Sequence, residues 1–129
     1  MTCYLFDQKS LPEGFQFPQS FLDVVGRDVL PDLQPWRFLC QSPKDADGWM
    51  LAVQRLYPTR KLVPFALWVG SDDVACFDGG GASDDPVVHY VHAYASAGWE
   101  DRGNVPNFGE WLKAATEQSA SFKAQVDDQ

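Results

Sequence analysis

The chain reads as a single α+β domain over residues 1–129. Its centre is an antiparallel-rich sheet of about four to six strands, with helices before, between and after it. Three observations predict this. Leu62–Asp78 alternates like a β-hairpin. Two further stretches, opening at Ser42 before the hairpin and Asn107 after it, carry helical spacing behind capping residues. The 129 residues contain neither an internal repeat nor a linker long enough to divide them, and this length suits one core.

The hairpin organises the rest. Val63, Phe65, Leu67 and Val69 fall on one face by period-two alternation, and Ala66 and Trp68 on the other, which marks a covered strand. Gly70-Ser71-Asp72-Asp73 is turn chemistry, because glycine tolerates positive φ and Ser/Asp side chains bond nearby backbone. Val74–Phe77 returns as the second strand. Pro64 cannot donate to a ladder, so it belongs at a strand start or on an edge.

Before the hairpin, Thr2–Phe6 suggests a short edge strand and Ser10–Gly14 a loop. Phe17-Pro18 begins a helix whose face holds Phe21, Leu22 and Val25, with Gly26 as the stop. Val29–Pro35 is irregular. Trp36–Cys40 alternates and predicts a strand. Ser42-Pro43-Lys44-Asp45 supplies a cap, a first-turn proline and an acid at the positive helix end. Trp49, Met50, Val53, Leu56 and Tyr57 form the buried stripe, and Pro58 ends the helix.

After the hairpin, Asp78–Pro86 is a glycine-rich loop and Val87–Tyr94 a third strand of the meander. Ser96–Val105 reads as loop, or as a short strand around Trp99. Asn107-Phe-Gly-Glu110 resembles a capping box. Phe108, Trp111, Leu112, Ala115 and Phe122 are the stripe of the last helix, and the tail beyond Ala124 should fray.

Composition bounds the function. Apolar residues make up 45% and aromatics 14%, which a disordered chain lacks. The net charge of −8 disfavours nucleic acid as a ligand. It permits a basic protein partner, although acidity also simply maintains solubility. Cys3, Cys40 and Cys76 follow no Cys-x-x-Cys pattern, which predicts buried free thiols in a reducing compartment. The N-terminal residues lack the pattern of a signal peptide. No apolar run approaches the roughly 20 residues of a membrane span, so a cytoplasmic protein is expected.

No constellation announces catalysis, a metal or a cofactor. Asp72, Asp73, Asp78, Asp84 and Asp85 crowd a turn and a loop, but they lack the order of an EF-hand. Turn chemistry and solvation explain them more simply. Gly79–Gly81 precedes no Gly-Lys-Ser/Thr and is no phosphate loop. His89 and His92, three apart on a strand, point to opposite faces and cannot share a metal. His89 could be drawn into a triad with an aspartate and a serine, yet no Gly-x-Ser-x-Gly elbow exists. Trp36, Trp49, Trp68 and Trp111 read as core. Trp99, among Gly98, Glu100, Asp101 and Arg102, is equally a lid over the sheet or an interaction anchor.

Two segments together resemble the SUKH superfamily, the SMI/KNR cell-wall-assembly-regulator-like proteins. One is Leu62-Val-Pro-Phe-Ala66 with its Asp/Gly turn and Phe77-Asp78. The other is Pro106-Asn-Phe-Gly-Glu-Trp-Leu112. The Phe17-Pro18…Phe21-Leu22 helix agrees with the first helix of that family. Gly26-Arg27 stands where Asn-Gly is common. Trp68-Val69-Gly70-Ser71 stands where many members carry an Asp-x-Gly-Gly-Asp-type turn. The resemblance implies an α+β fold without catalytic residues. For bacterial members it implies a cytoplasmic immunity protein that binds and neutralises a toxin delivered between cells, as in contact-dependent inhibition. Other members are regulatory scaffolds.

The expectation is therefore a non-enzymatic binder of a cognate, basic, nuclease-like toxin domain, monomeric or weakly dimeric, with no cofactor, nucleic acid or membrane as partner. The alternatives are an adaptor for an endogenous enzyme and, third, a small metal-dependent hydrolase built on Asp72, Asp73, Asp78 and His89. The candidate partner-binding residues are Asp72 and Asp73 at the hairpin tip, Asp84 and Asp85 in the glycine loop, and Trp99, Glu100 and Asp101, expected along one rim of the sheet.

Overall fold

Ser42 and Asn107 act as their chemistry demands. Ser42 Oγ accepts the Asp45 N–H at 3.4 Å, and Asn107 Oδ1 accepts the Glu110 N–H at 2.9 Å. Each satisfies a donor that the first helical turn would leave orphaned. The computed structural model describes residues 4–6, 8–81, 84–94 and 101–127. In chain order the main elements are α1 (Gln19–Val25), β1 (Trp36–Phe38), α2 (Pro43–Leu56), β2 (Leu62–Trp68), β3 (Asp73–Asp78), β4 (Val88–His92), β5 (Asp101–Val105) and α3 (Phe108–Asp127). Short 3-10 turns occupy Gln8–Ser10 and Leu39–Gln41. The five strands form one antiparallel sheet in the order β1-β2-β3-β4-β5. The α+β class, the strand number and the placing of the helices are as the sequence predicts.

The register defines two faces, because residues opposed across an antiparallel pair share a face. Trp36 opposes Trp68, and Phe38, Ala66, Ala75 and Tyr90 form one continuous row. On this face lie α1 and α3. The Phe21 ring of α1 contacts Phe38, Phe65 and Phe77, and Phe108 and Trp111 of α3 pack on Phe65 at 5.7 and 4.9 Å. The Phe65 and Phe77 rings stack at 4.3 Å. The opposite face carries Arg37, Leu67, Val74 and Val91. There α2 packs through buried Ala46, Met50 and Val53, and Arg37 pairs with Asp45 of α2 at 2.7 Å.

Several elements differ from expectation. The ladder slips between Pro64 and Ala66, so Phe65 is the extra residue of a bulge. The bulge breaks strict alternation: Ala66 and Trp68 share the face of Phe65, and Leu67 takes the other. Pro64 is tolerated because β1 pairs only with Ala66–Trp68, which leaves that part of β2 without a neighbour on one side. The Trp36–Cys40 strand stops at Phe38 and tightens into a 3-10 turn. Tyr4–Phe6 forms no strand, although the Tyr4 N–H reaches the Cys40 carbonyl at 2.8 Å. Thr2 lies outside the described residues. Conversely, Asp101–Val105 is a strand, and α3 runs past Ala124 to Asp127.

Cys40 is disulfide-bonded, which corrects the expectation that every cysteine is a free thiol. Sequence spacing carries no information about which side chains meet. Cys76 is free and buried, and burial pushes its thiol far above the ordinary value, against a weaker downward pull from Arg60. Among the described residues no helix is long and apolar enough to cross a membrane.

Candidate partner-binding site at the hairpin end

A meander alternates its connections between the two ends of the sheet. The β2–β3 turn, the end of β4 and the start of β5 therefore share one end, and the β3–β4 loop lies at the other. Asp72, Asp73 and Asp101 belong to the first end; the exposed Asp84 and Asp85 belong to the second. The expectation of a single acidic rim is corrected by this topology. Trp99 and Glu100 fall outside the described residues.

Asp72 and Asp73, adjacent in sequence, are divided by the sheet. Asp73 opposes His92 on the α3 face. With Trp68, Tyr90, Arg102 and Gln118, beside the largely buried Trp36, it lines a recess of about 480 Å³. Asp72 lies toward α2, in a recess of about 280 Å³ shared with Lys44, Trp49 and Tyr94. Tyr94 is 65% exposed and holds a φ of +64°, a left-handed conformation that a bulky residue rarely adopts. Its ring lies 6.5 Å from that of Trp49. Asp101 opens the edge strand β5, opposes Val91 and accepts the Gly103 N–H at 2.9 Å.

The recess on the α3 face has an aromatic floor. Trp36 packs edge-on to Trp68 at 5.3 Å and lies 6.1 Å from Tyr90. Its indole N–H donates to Gln118 Oε1 at 2.8 Å, which fixes that amide. Trp68 and Tyr90 are half-buried. Partial burial holds the Tyr90 phenol above its ordinary pKa. Asp73 uses one carboxylate oxygen for His92 Nδ1 at 2.6 Å and remains 41% exposed.

The second histidine–aspartate pair sits on the other face. His89 Nε2 meets Asp78 Oδ2 at 3.2 Å, and its Nδ1 is buried with no partner among the described residues. Burial raises the Asp78 pKa, but the Gly80 N–H, the His89 hydrogen bond, and the charges of His89 and Arg60 outweigh it and hold the carboxyl below its ordinary value. Asp78 thus helps to close the glycine loop. Gly79 donates to the Lys61 carbonyl at 2.6 Å, and a Cβ there would meet Pro12 Cγ at 2.6 Å. The glycine run is a close-packing device at that residue. The two histidines point to opposite faces, as the strand period requires. Among the described residues, no three or more His, Cys, Asp or Glu side chains converge as a metal would need.

Trp68, Tyr90, Arg102 and Gln118 join Asp73 without having been singled out from sequence as a site. Trp68 looked like core because its facing could not be known without the Phe65 bulge. Arg102 looked like loop because Asp101–Val105 has little β character. Comparison with protein-family models, with curated proteins and with solved structures gives no match.

Proposed function

We propose that this protein is a non-enzymatic binding protein that neutralises a basic toxin domain. The reading rests on the resemblance of Leu62–Asp78 and Pro106–Leu112 to the SUKH immunity type. The observation that carries it is the hairpin end, where Asp72 and Asp73 each border a half-open aromatic recess, one on either face of the sheet. Half-buried aromatics beside acids suit a partner's cations, which gain ring contact as well as charge. The net charge of −8 favours encounter with such a surface.

The test is association and dissociation kinetics against the toxin domain encoded beside this chain, together with rescue of cells expressing it. Neutralising Asp72 and Asp73 should slow association, and more so at low salt, since screening acts over roughly 8–10 Å. If the parent protein neither binds nor protects, the immunity reading falls and the adaptor reading replaces it. Turnover of a substrate that is lost on Asp78→Asn or His89→Gln would favour the hydrolase instead.

The immunity reading places the protein in the cytoplasm. The Cys40 disulfide pulls the other way, because cytosolic thiols are kept reduced. Counting alkylatable thiols in protein from cells quenched in acid decides between them. Three thiols on denaturation support the cytoplasm, and one supports an oxidising compartment.

A further inference from the structure

We propose that the recess on the α3 face receives an extended basic segment of the partner. A lysine or arginine side chain would lie over Trp68 and Tyr90 against Asp73, and the segment's backbone carbonyls would be met by Arg102 and Gln118. This rests on the binding function above and names the site and chemistry that would serve it.

Two opposite charges face one recess and do not pair. Asp73 stands on β3 and Arg102 on β5, with β4 between them. Two strand spacings, about 10 Å, separate their backbones across the sheet. No ion pair joins them; the carboxylate bonds His92 instead. One Asp73 oxygen has no partner among the described residues. A group bridging the gap must offer a cation at the Asp73 side and an acceptor at the Arg102 side. A basic side chain attached to peptide carbonyls has both.

The floor matches the same ligand. A cation over an indole or phenol face gains about 0.5–2 kcal/mol, more as water is excluded, and the half-buried rings of Trp68 and Tyr90 supply such faces. Trp36 Nε1 holds Gln118 Oε1, which fixes the amide and leaves its NH₂ group to donate, and donors suit carbonyls. Trp68 and Gln118 also border a second recess of about 510 Å³ along α3, with Glu117, Ser121 and Phe122. The two recesses adjoin at those two residues, so an extended chain lying in the first would run toward the second. Glu117 adds a second acid along it.

The probe is N-acetyl-L-arginine amide, titrated into the full chain, with the amides of N-acetyl-L-norleucine and N-acetyl-L-glutamate as neutral and acidic counterparts. Indole N–H resonances of Trp36 and Trp68 report binding. The arginine probe should shift both resonances, and Asp73→Asn should weaken it by about tenfold, equivalent to about 1.4 kcal/mol. His92→Gln keeps the carboxylate and removes its partner, so it should bind the arginine probe at least as well as the parent. Equal shifts from the norleucine probe, stronger binding of the glutamate probe, or equal loss in both variants would each overturn the proposal. The probe needs no toxin. Binding of the arginine probe by a chain that protects no cell would therefore sink the immunity reading and leave the groove chemistry standing. Protection without such binding would do the reverse.

Discussion

Along one face of the sheet, two aromatic regions meet at Trp36 and differ in what covers them. Toward the sealed side, Phe38, Phe65 and Phe77 lie beneath Phe21, Phe108 and Trp111, and every one of these rings is buried. Toward the hairpin end, Trp68 and Tyr90 continue the same surface, but among the described residues no helix closes over them and they are half-buried. Trp36 touches both sides, packing on Trp111 at 5.6 Å and on Trp68 at 5.3 Å. Residue type does not distinguish the regions; cover does. The sealed region supplies stability, because burying aromatic area is the main driving force of folding. The open one retains apolar area and unspent polar groups that a partner can use.

The histidine–aspartate pairs repeat the contrast. His89 and Asp78 close a loop, with the outer oxygens committed to Gly80 and His89. His92 and Asp73 border the open recess and keep an oxygen in reserve.

The largest effect should come from emptying the sealed region. Phe65→Ala or Trp111→Ala should each cost about 3–5 kcal/mol in chemical denaturation, as expected for an aromatic core site. A loss below about 1 kcal/mol would mean that the two regions do not differ as described.

A smaller effect is expected at the open region. Tyr90→Ala should cost about 1–2 kcal/mol in the same measurement, because only half of the ring leaves a buried setting. A cost equal to that of Phe65→Ala would make the recess part of the core.

The smallest effect concerns the Asp78 carboxyl, whose pKa is lowered in the fold. The sign follows from linkage. A depressed folded pKa contributes stability that is present above the ordinary aspartate value near 3.9 and is lost as pH falls through the folded value. Stability of the parent should therefore decline more steeply than that of Asp78→Asn below about pH 4. Parallel curves would show that the Gly80 and His89 contacts do not favour the charged form.

The sequence made the hairpin, α2 and α3 legible because each carries its own local chemistry: turn residues at Gly70–Asp73, caps at Ser42 and Asn107, and apolar stripes behind them. It did not reveal β5. Asp-Arg-Gly-Asn-Val has little β propensity outside Val105, and this strand pairs with the free edge of β4. Gly103, at φ +104°, allows the irregular pairing there. The bulge at Phe65 was equally hidden, and with it the facing of Trp68. Of the expected site residues, Asp73 could be found because turn chemistry put it at the hairpin tip. Its neighbours in the recess come from β2, β4, β5 and α3, and only the register brings them together.

We propose the open aromatic region as the working surface, and the dissociation rate of a partner reads it. Dissociation of the basic toxin domain proposed as partner should be compared between Tyr90→Ala and the parent, under conditions where both chains are fully folded. A hot-spot aromatic removed at the centre of an interface costs at least about 2 kcal/mol, so dissociation should quicken by roughly 30-fold. Parent-like dissociation from folded Tyr90→Ala would contradict the claim and move the interface away from this face.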